Sequence, residues 1–370
     1  MTIKKFVLNL ILIISVILFS GCKNLPLSIK PIKENTTFSS TTIVKEENTQ
    51  KINQTNNSST EIASKTVLIF GGDVMLSRKV EQQMEKYQDY TWPFKKIANL
   101  LADADITIIN LESPFIYSAN YFVPTGSFNF KANPQAVKGL LAAGIDLVTL
   151  ANNHFGNQGI KGMTDTFKIL RENNIAFVGA GNNSSEANQP TVIKKNEINF
   201  AFLNYGYPES LYVANSSNAG IANMDLKKME QNIKEAKQKY EVVIVIMHAG
   251  NEYTYQPNHQ QQEFARKAIE AGADLVIGHH PHWVQTTEIY QGKPIIYSLG
   301  NLIFDQMWSK ETQQGALAKV IFKNNDIISL ELIPVKIKDY GQAEIISEIT
   351  EKQNLFSKMG LINEFLIKQD

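Results

Sequence analysis

Residues 274–282 read Asp-Leu-Val-Ile-Gly-His-His-Pro-His: a short apolar run, a glycine, then histidines at 279, 280 and 282. A brief apolar run bounded by turn residues is a buried strand. In open α/β sheets, ligand-binding residues gather just beyond the carboxyl ends of strands. The same device recurs along the chain. Thr66–Phe70 runs into Gly71-Gly72-Asp73, Ile106–Leu111 into Glu112, Asp146–Leu150 into Ala151-Asn-Asn-His154, and Glu241–Met247 into His248.

Between these strands lie segments with apolar residues at helical spacing. They predict helices over Trp92–Asp103, Pro134–Ala143, Met163–Asn173, Asp225–Lys239 and Asn258–Ala271. Residues 141–148 and 269–276 share one helix–turn–strand device, each delivering a histidine-bearing loop. Ala176–Val178 is a short strand, and Thr191–Lys195 with Ile198–Asn204 form a hairpin. Pro294–Leu299, Ala316–Phe322 and Ile327–Ile333 add further β runs. Strands alternating with helices give a layered α/β fold, and the later hairpins imply a second, more antiparallel sheet packed on the first.

Five of the six histidines fall immediately after these strands; His259 is the exception. His280 and His282, two residues apart, can aim at one metal cluster on an extended backbone. Asp73 and Glu112 supply carboxylates, Asn153 a carbonyl oxygen, and His248 another nitrogen. Mixed imidazole and carboxylate ligands suit Zn, Mn or Fe, as one or two ions. Such ions acidify bound water and polarise a group under attack. His154 is the candidate catalytic acid or oxyanion partner. Glu252 either supports His248 or contacts substrate. Asn110 and Asn301 either orient ligands or stabilise loops, and Asp73 could alternatively cap a helix. His279 is read as structural. The stretch Tyr117–Phe130 is either a substrate wall or a packed loop.

The amino terminus has a different character. Lys4 and Lys5 precede an apolar run to Phe19, closed by Ser20-Gly21-Cys22, the parts of a secretory signal peptide. Cys22 after Ser-Gly resembles the lipobox of bacterial lipoproteins, which implies lipidation there; the alternative is an uncleaved anchor. Both put the remainder outside the cytoplasmic membrane and tethered to it. With Cys22 the sole cysteine, no intramolecular disulfide forms. Residues 23–64, rich in Asn, Thr, Ser, Lys and Glu, read as a disordered tether. Residues 65–335 form the main domain, and 336–370 an extension ending in a helix. Removing residues 1–22 leaves 34 basic against 36 acidic residues, a net of −2, so nothing draws in nucleic acid.

Six motifs occur in order: Gly-Gly-Asp-Val-Met-Leu, Asn-Leu-Glu-Ser-Pro, Ala-Asn-Asn-His, His-Ala-Gly-Asn-Glu-Tyr, Gly-His-His-Pro-His and Ser-Leu-Gly-Asn-Leu-Ile-Phe-Asp. Over Val67–Asp305 the chain resembles the CapA family of poly-gamma-glutamate capsule biosynthesis proteins, whose domain is similar to calcineurin-like metallophosphoesterases. The resemblance implies a layered α-β-β-α sandwich of metallophosphoesterase type with mixed sheets. It assigns one metal position to Asp73, Glu112 and His282, and another to Glu112, Asn153, His248 and His280. Met75 stands where the metallophosphoesterase pattern has its first histidine, and a thioether is a poor ligand for a hard divalent ion. The first position is therefore expected to be the weaker.

The resemblance further implies making, exporting or anchoring an anionic envelope polymer such as poly-gamma-glutamate. The leading expectation is metal-dependent hydrolysis or transfer at an amide or ester of that polymer. A rival is a non-catalytic accessory protein that binds polymer carboxylates beside a membrane synthase complex. A periplasmic phosphoesterase is the third, resting on fold analogy alone.

Overall fold

The computed structural model describes residues 65–369, apart from 119–120, 122–125, 127 and 208–211. The signal-peptide, Cys22 and tether readings lie outside the described residues. In chain order the first strands are β1 (Lys65–Val74), β2 (Ile106–Leu111), β3 (Leu147–Thr149), β4 (Ala176–Val178), β5 (Ala180–Gly181), β6 (Thr191–Lys195), β7 (Ile198–Gly206) and β8 (Gly220–Ile221). Then come β9 (Val242–His248), β10 (Leu275–His279), β11 (Thr287–Tyr290), β12 (Lys293–Ile296) and β13 (Asn301–Ile303). The last are β14 (Gln314–Lys323), β15 (Asp326–Lys338), β16 (Gln342–Ile345) and β17 (Phe365–Lys368). The helices are α1 (Arg78–Tyr87), α2 (Ala98–Ala102), α3 (Val137–Ala142), α4 (Gly159–Glu172), α5 (Ser184–Asn188), α6 (Leu226–Lys237), α7 (His259–Ala271) and α8 (Ile349–Lys358).

Two mixed sheets carry the fold. One has nine strands in the order β16-β15-β14-β1-β2-β3-β4, with β13 beside β1 and β17 beside β15. The other has six, ordered β11-β12-β10-β9-β7-β6. Successive side chains of a strand face opposite ways, and the burial of β1 and β7 shows what each face meets. Leu68 and Phe70 share one core with Phe200, Phe202, Ile244 and Ile277 of the other sheet. Ile69 instead joins Leu101, Leu140 and Phe167 under one helical layer. Ala201 and Leu203 join Met229, Ile233 and Phe264 under another. The layers are therefore helix, sheet, sheet, helix, with the Phe200 and Phe322 rings 5.2 Å apart between the sheets.

Two expectations are corrected. The helix expected over Trp92–Asp103 is only α2. Trp92–Ile97 instead form turns bonded three residues back, such as Ile97 N to Phe94 O at 2.8 Å. The carboxyl-terminal extension does not begin after residue 335 as a separate piece, nor does it end in a helix. β15 runs through to Lys338, α8 follows β16, and the extension ends in β17. β17 is held because β15 offers it free backbone groups around Ser329–Glu331. Among the described residues no helix is long and apolar enough to cross a membrane.

Candidate metal centre

Strand register assembles the centre. In β1, Asp73 lies opposite Asn301 of β13 on one side and Asn110 of β2 on the other. Asn110 in turn lies opposite Thr149 of β3. In the second sheet His248 ends β9 opposite His279, which ends β10. Parallel pairing brings all these ends to one edge. Gly72 permits the close approach of β1 to the segment before β13, since a Cβ there would sit 2.0 Å from Gly300 O.

One group of atoms collects around His248. Its Nε2 lies 2.9 Å from Asn153 Oδ1, 3.1 Å from His280 Nδ1 and 3.8 Å from Glu112 Oε1. A second collects around Asp73. Its Oδ2 lies 3.4 Å from His282 Nδ1, and its Oδ1 lies 3.3 Å from His279 Nδ1. Asp73, Glu112 and His248 each bring one ligand atom within 4.8 Å of the others. Asp73 and Glu112 are 0% exposed and His248 1%.

Asn110 ties the two groups together. Its Nδ2 donates to Asp73 Oδ1 at 2.8 Å, and lies 3.2 Å from Glu112 Oε1 and from His248 Nδ1. Its Oδ1 accepts from Thr149 and Asn152. Asn301 Oδ1 lies 2.9 Å from His282 Nδ1. The group facing His248 Nδ1 is thus Asn110 and not Glu252, which is exposed in the loop after β9.

The electrostatics are compatible with a cation. Two buried carboxylates are costly unless compensated. Burial, and then the Asp73 charge, push the Glu112 carboxyl well above its ordinary range. Burial would also raise Asp73, but the His279 and His282 imidazoles beside it outweigh this and hold that carboxyl well below its usual value. Burial keeps His248 neutral, and lowers His280 to about 4. Glu112 Oε2 is buried without a hydrogen-bond partner among the described residues. Neutral imidazoles, carboxylates and an orphaned oxygen facing one another fit a divalent ion.

His154 stands at the margin. Its Nδ1 lies 3.1 Å from Asn157 Oδ1, and its Nε2 3.3 Å from the Asn153 amide nitrogen. Asn157 Oδ1 can only accept, so Nδ1 carries the hydrogen and Nε2 is the acceptor. Burial lowers its pKa to about 3. Burial thus favours the neutral ring.

Met75 is fully buried in the core beneath the helices, and its sulfur accepts a hydrogen bond from Ser77 N at 3.1 Å. His259 lies at the start of α7, away from the strand ends. His279, read from sequence as structural, instead touches Asp73. Its place at the end of a strand, like that of His248, was the signal. Asn152 and Asn157, which bond the backbone and ring of His154, were missed; the Phe130 ring lies tilted against that of His154, 4.1 Å between centroids. Phe130, at the end of the Tyr117–Phe130 stretch, is buried in the core beneath the helices.

Comparison with known proteins identifies the family. The model of the family described as "Bacterial capsule synthesis protein PGA_cap" matches residues 67–306. The PGA biosynthesis protein CapA of Bacillus subtilis is 32% identical over 78% of this chain and 79% of its own. The capsule biosynthesis protein CapA of Bacillus anthracis is 29% identical over 80% of this chain and 73% of its own. Among solved structures, Haemophilus influenzae NAD nucleotidase aligns with a TM-score of 0.46 at 11% identity, over 80% of this chain and 55% of that one. On the family match and the Bacillus subtilis relative, this chain belongs to the PGA_cap family of bacterial capsule synthesis proteins.

Proposed function

We propose that this chain acts in poly-gamma-glutamate capsule formation as an extracytoplasmic, membrane-tethered, metal-dependent hydrolase. Its buried centre would hold one or two divalent ions (Zn, Mn or Fe) and cleave or transfer an amide or ester bond of the polymer. The observation that carries this reading is the convergence of Glu112, Asn153 and His280 on His248, with Glu112 Oε2 left without a partner. Family membership and the Bacillus relatives support the capsule role. The Lys4–Cys22 stretch supports the tether.

A divalent ion bound here supplies Lewis-acid polarisation and acidifies water. Glu112, Asn153, His248 and His280 hold one position; Asp73, Glu112 and His282 hold the other. Asn110 keeps the Asp73 carboxylate turned inward, and Asn301 fixes the His282 ring. His154 enters neutral, accepts a proton from the attacking water, and returns it to the departing amine or alcohol. Glu252, exposed beyond the centre, meets substrate.

Met75 favours a second reading. With its sulfur committed to Ser77, the Asp73 position has one imidazole fewer, which suits an accessory protein that holds polymer carboxylates at its metal beside a membrane synthase complex.

Elemental analysis of the purified chain beside a His280→Ala, His282→Ala double variant tests the centre. About one or more ions per chain, lost in the variant, is expected; no metal under any loading condition sinks it. Incubation with poly-gamma-glutamate then separates the readings. Shortening of the polymer that disappears in His154→Ala, with metal retained, identifies a hydrolase. Polymer binding without shortening identifies the accessory protein.

A further inference from the structure

Arg78 lies outside every candidate ligand set, yet it touches both rings that back the site histidines. It directly follows the loop of Asp73 and Met75, and its guanidinium pairs with Asp305, directly beyond β13. The two loops are already joined. Asp73 N donates to Gly300 O at 3.0 Å, Met75 N to Ile303 O at 2.8 Å, and Lys79 N to Asp305 Oδ2 at 3.2 Å. One loop carries the ligand Asp73, and β13 carries Asn301, the partner of His282.

The guanidinium carbon lies 4.7 Å from the Phe130 ring centre and 5.8 Å from that of Phe304. Phe130 lies tilted against His154 at 4.1 Å, and Phe304 meets His282 edge-on at 4.8 Å. The two phenyl rings are themselves 5.9 Å apart, edge to face. A planar cation thus contacts two rings, and each ring contacts one imidazole. Arg78 also takes a left-handed backbone, φ 53°, a conformation disfavoured for a residue with a side chain and found where surrounding contacts enforce it. Its partner Asp305 has a side chain only 6% exposed, so this is not a loose surface pair.

We infer that Arg78 is a positioning residue of the centre: paired with Asp305, it presses Phe130 and Phe304 against His154 and His282 and so sets the direction in which both imidazoles present their nitrogens. The inference rests on the reading of the centre as a divalent-metal site. Charge alone does not suffice for it. A flat guanidinium can lie against two rings while forming an ion pair, and an ammonium, a point charge, does not reproduce that geometry.

Cobalt(II) titration of the purified full chain tests this, read by affinity and by the visible absorption of the bound ion, which reports ligand geometry. Arg78→Leu is expected to weaken binding ~10–100-fold, as loss of an outer-shell contact does, and to shift the spectrum. Arg78→Lys is expected not to restore the spectrum. Arg266→Leu, which removes the remote pair with Glu288, should leave both readouts unchanged. If Arg78→Leu does not fold, Phe304→Leu, which spares the ion pair, must reproduce the spectral shift. Wild-type affinity and spectrum in Arg78→Leu, or in Phe304→Leu where that stands in, overturn the inference alone. No cobalt uptake by the wild-type chain overturns the metal reading and the inference together.

Discussion

His248 Nε2 lies 2.9 Å from Asn153 Oδ1, although the first ends a strand of the six-stranded sheet and the second follows a strand of the nine-stranded sheet. Each sheet thus contributes part of the proposed ligand set, and the set exists only when the two pack. His248→Ala or Asn153→Ala removes a donor from an otherwise folded centre. Either should weaken manganese binding by at least ~100-fold, beyond the 10–100-fold typical of outer-shell losses. Calorimetric titration measures this, with circular dichroism to verify the fold. Unchanged affinity in both variants would remove the pair from the ligand set.

Asn110 makes a different demand, because it is a hub and not a ligand. In Asn110→Leu the hydroxyl of Thr149 and the amide of Asn152 each lose an acceptor, and Asp73 loses a donor. An unsatisfied buried polar group costs ~1–3 kcal/mol, so the metal-free variant should lose roughly 2–4 kcal/mol in urea unfolding. A loss near zero would show that water replaces the amide and that the hub is not rigid.

Much of this centre was legible in the sequence because strands here are apolar runs ending abruptly in chemistry. Asp73, Glu112, Asn153, His248, His280 and His282 were singled out that way, and the structure gathers Asp73, Glu112 and His248 into one cluster. The pairings between them were not, since the Asp73–Asn301 register joins segments far apart in the chain and nothing local encodes parallel pairing. Arg78 hid for the same reason: its partners Phe130, Phe304 and Asp305 come from two other regions. Helix α1 was missed because only Val80 and Met84 are buried in a strongly charged ten-residue segment. β17, at four residues, is too short for an alternation to register.

Acid should destabilise the metal-free protein between pH ~6.5 and ~4, through its buried histidines. Burial holds His248 well below its ordinary value, His280 at about 4 and His154 at about 3, whereas all three titrate near ~6.5 in the unfolded chain. From ~6.5 downward the unfolded state binds protons that the native state refuses, so stability falls with pH. The slope is ~1.4 kcal/mol per pH unit for each histidine fully in that window. Glu112, raised in the native state, opposes this, because its protonation favours the native form as pH falls. Three groups against one leave a net loss between pH 6.5 and about 4. Urea unfolding in chelator at several pH values measures the slope. His154→Phe should lower it by about one proton, and an unchanged slope would mean that the His154 ring is already solvated.

Met75→His tests whether the departure from the metallophosphoesterase pattern is reversible by one substitution. By sequence logic the change restores a ligand and should raise the metal content. The structure argues otherwise. Met75 is packed in the core beneath the helices with its sulfur bound to Ser77 N–H, and the backbone there is fixed by Met75 N donating to Ile303 O. An imidazole at that position enters an apolar site fitted to a thioether, where an unpaired polar group costs ~1–3 kcal/mol and changes of shape add to it. The variant should therefore be less stable by roughly 2–4 kcal/mol and bind no more metal per chain than the wild type. Elemental analysis beside urea unfolding decides between the two expectations. A second ion gained without loss of stability would mean that the loop after β1 can turn residue 75 toward Asp73, and that the hydrolytic pattern is one substitution away.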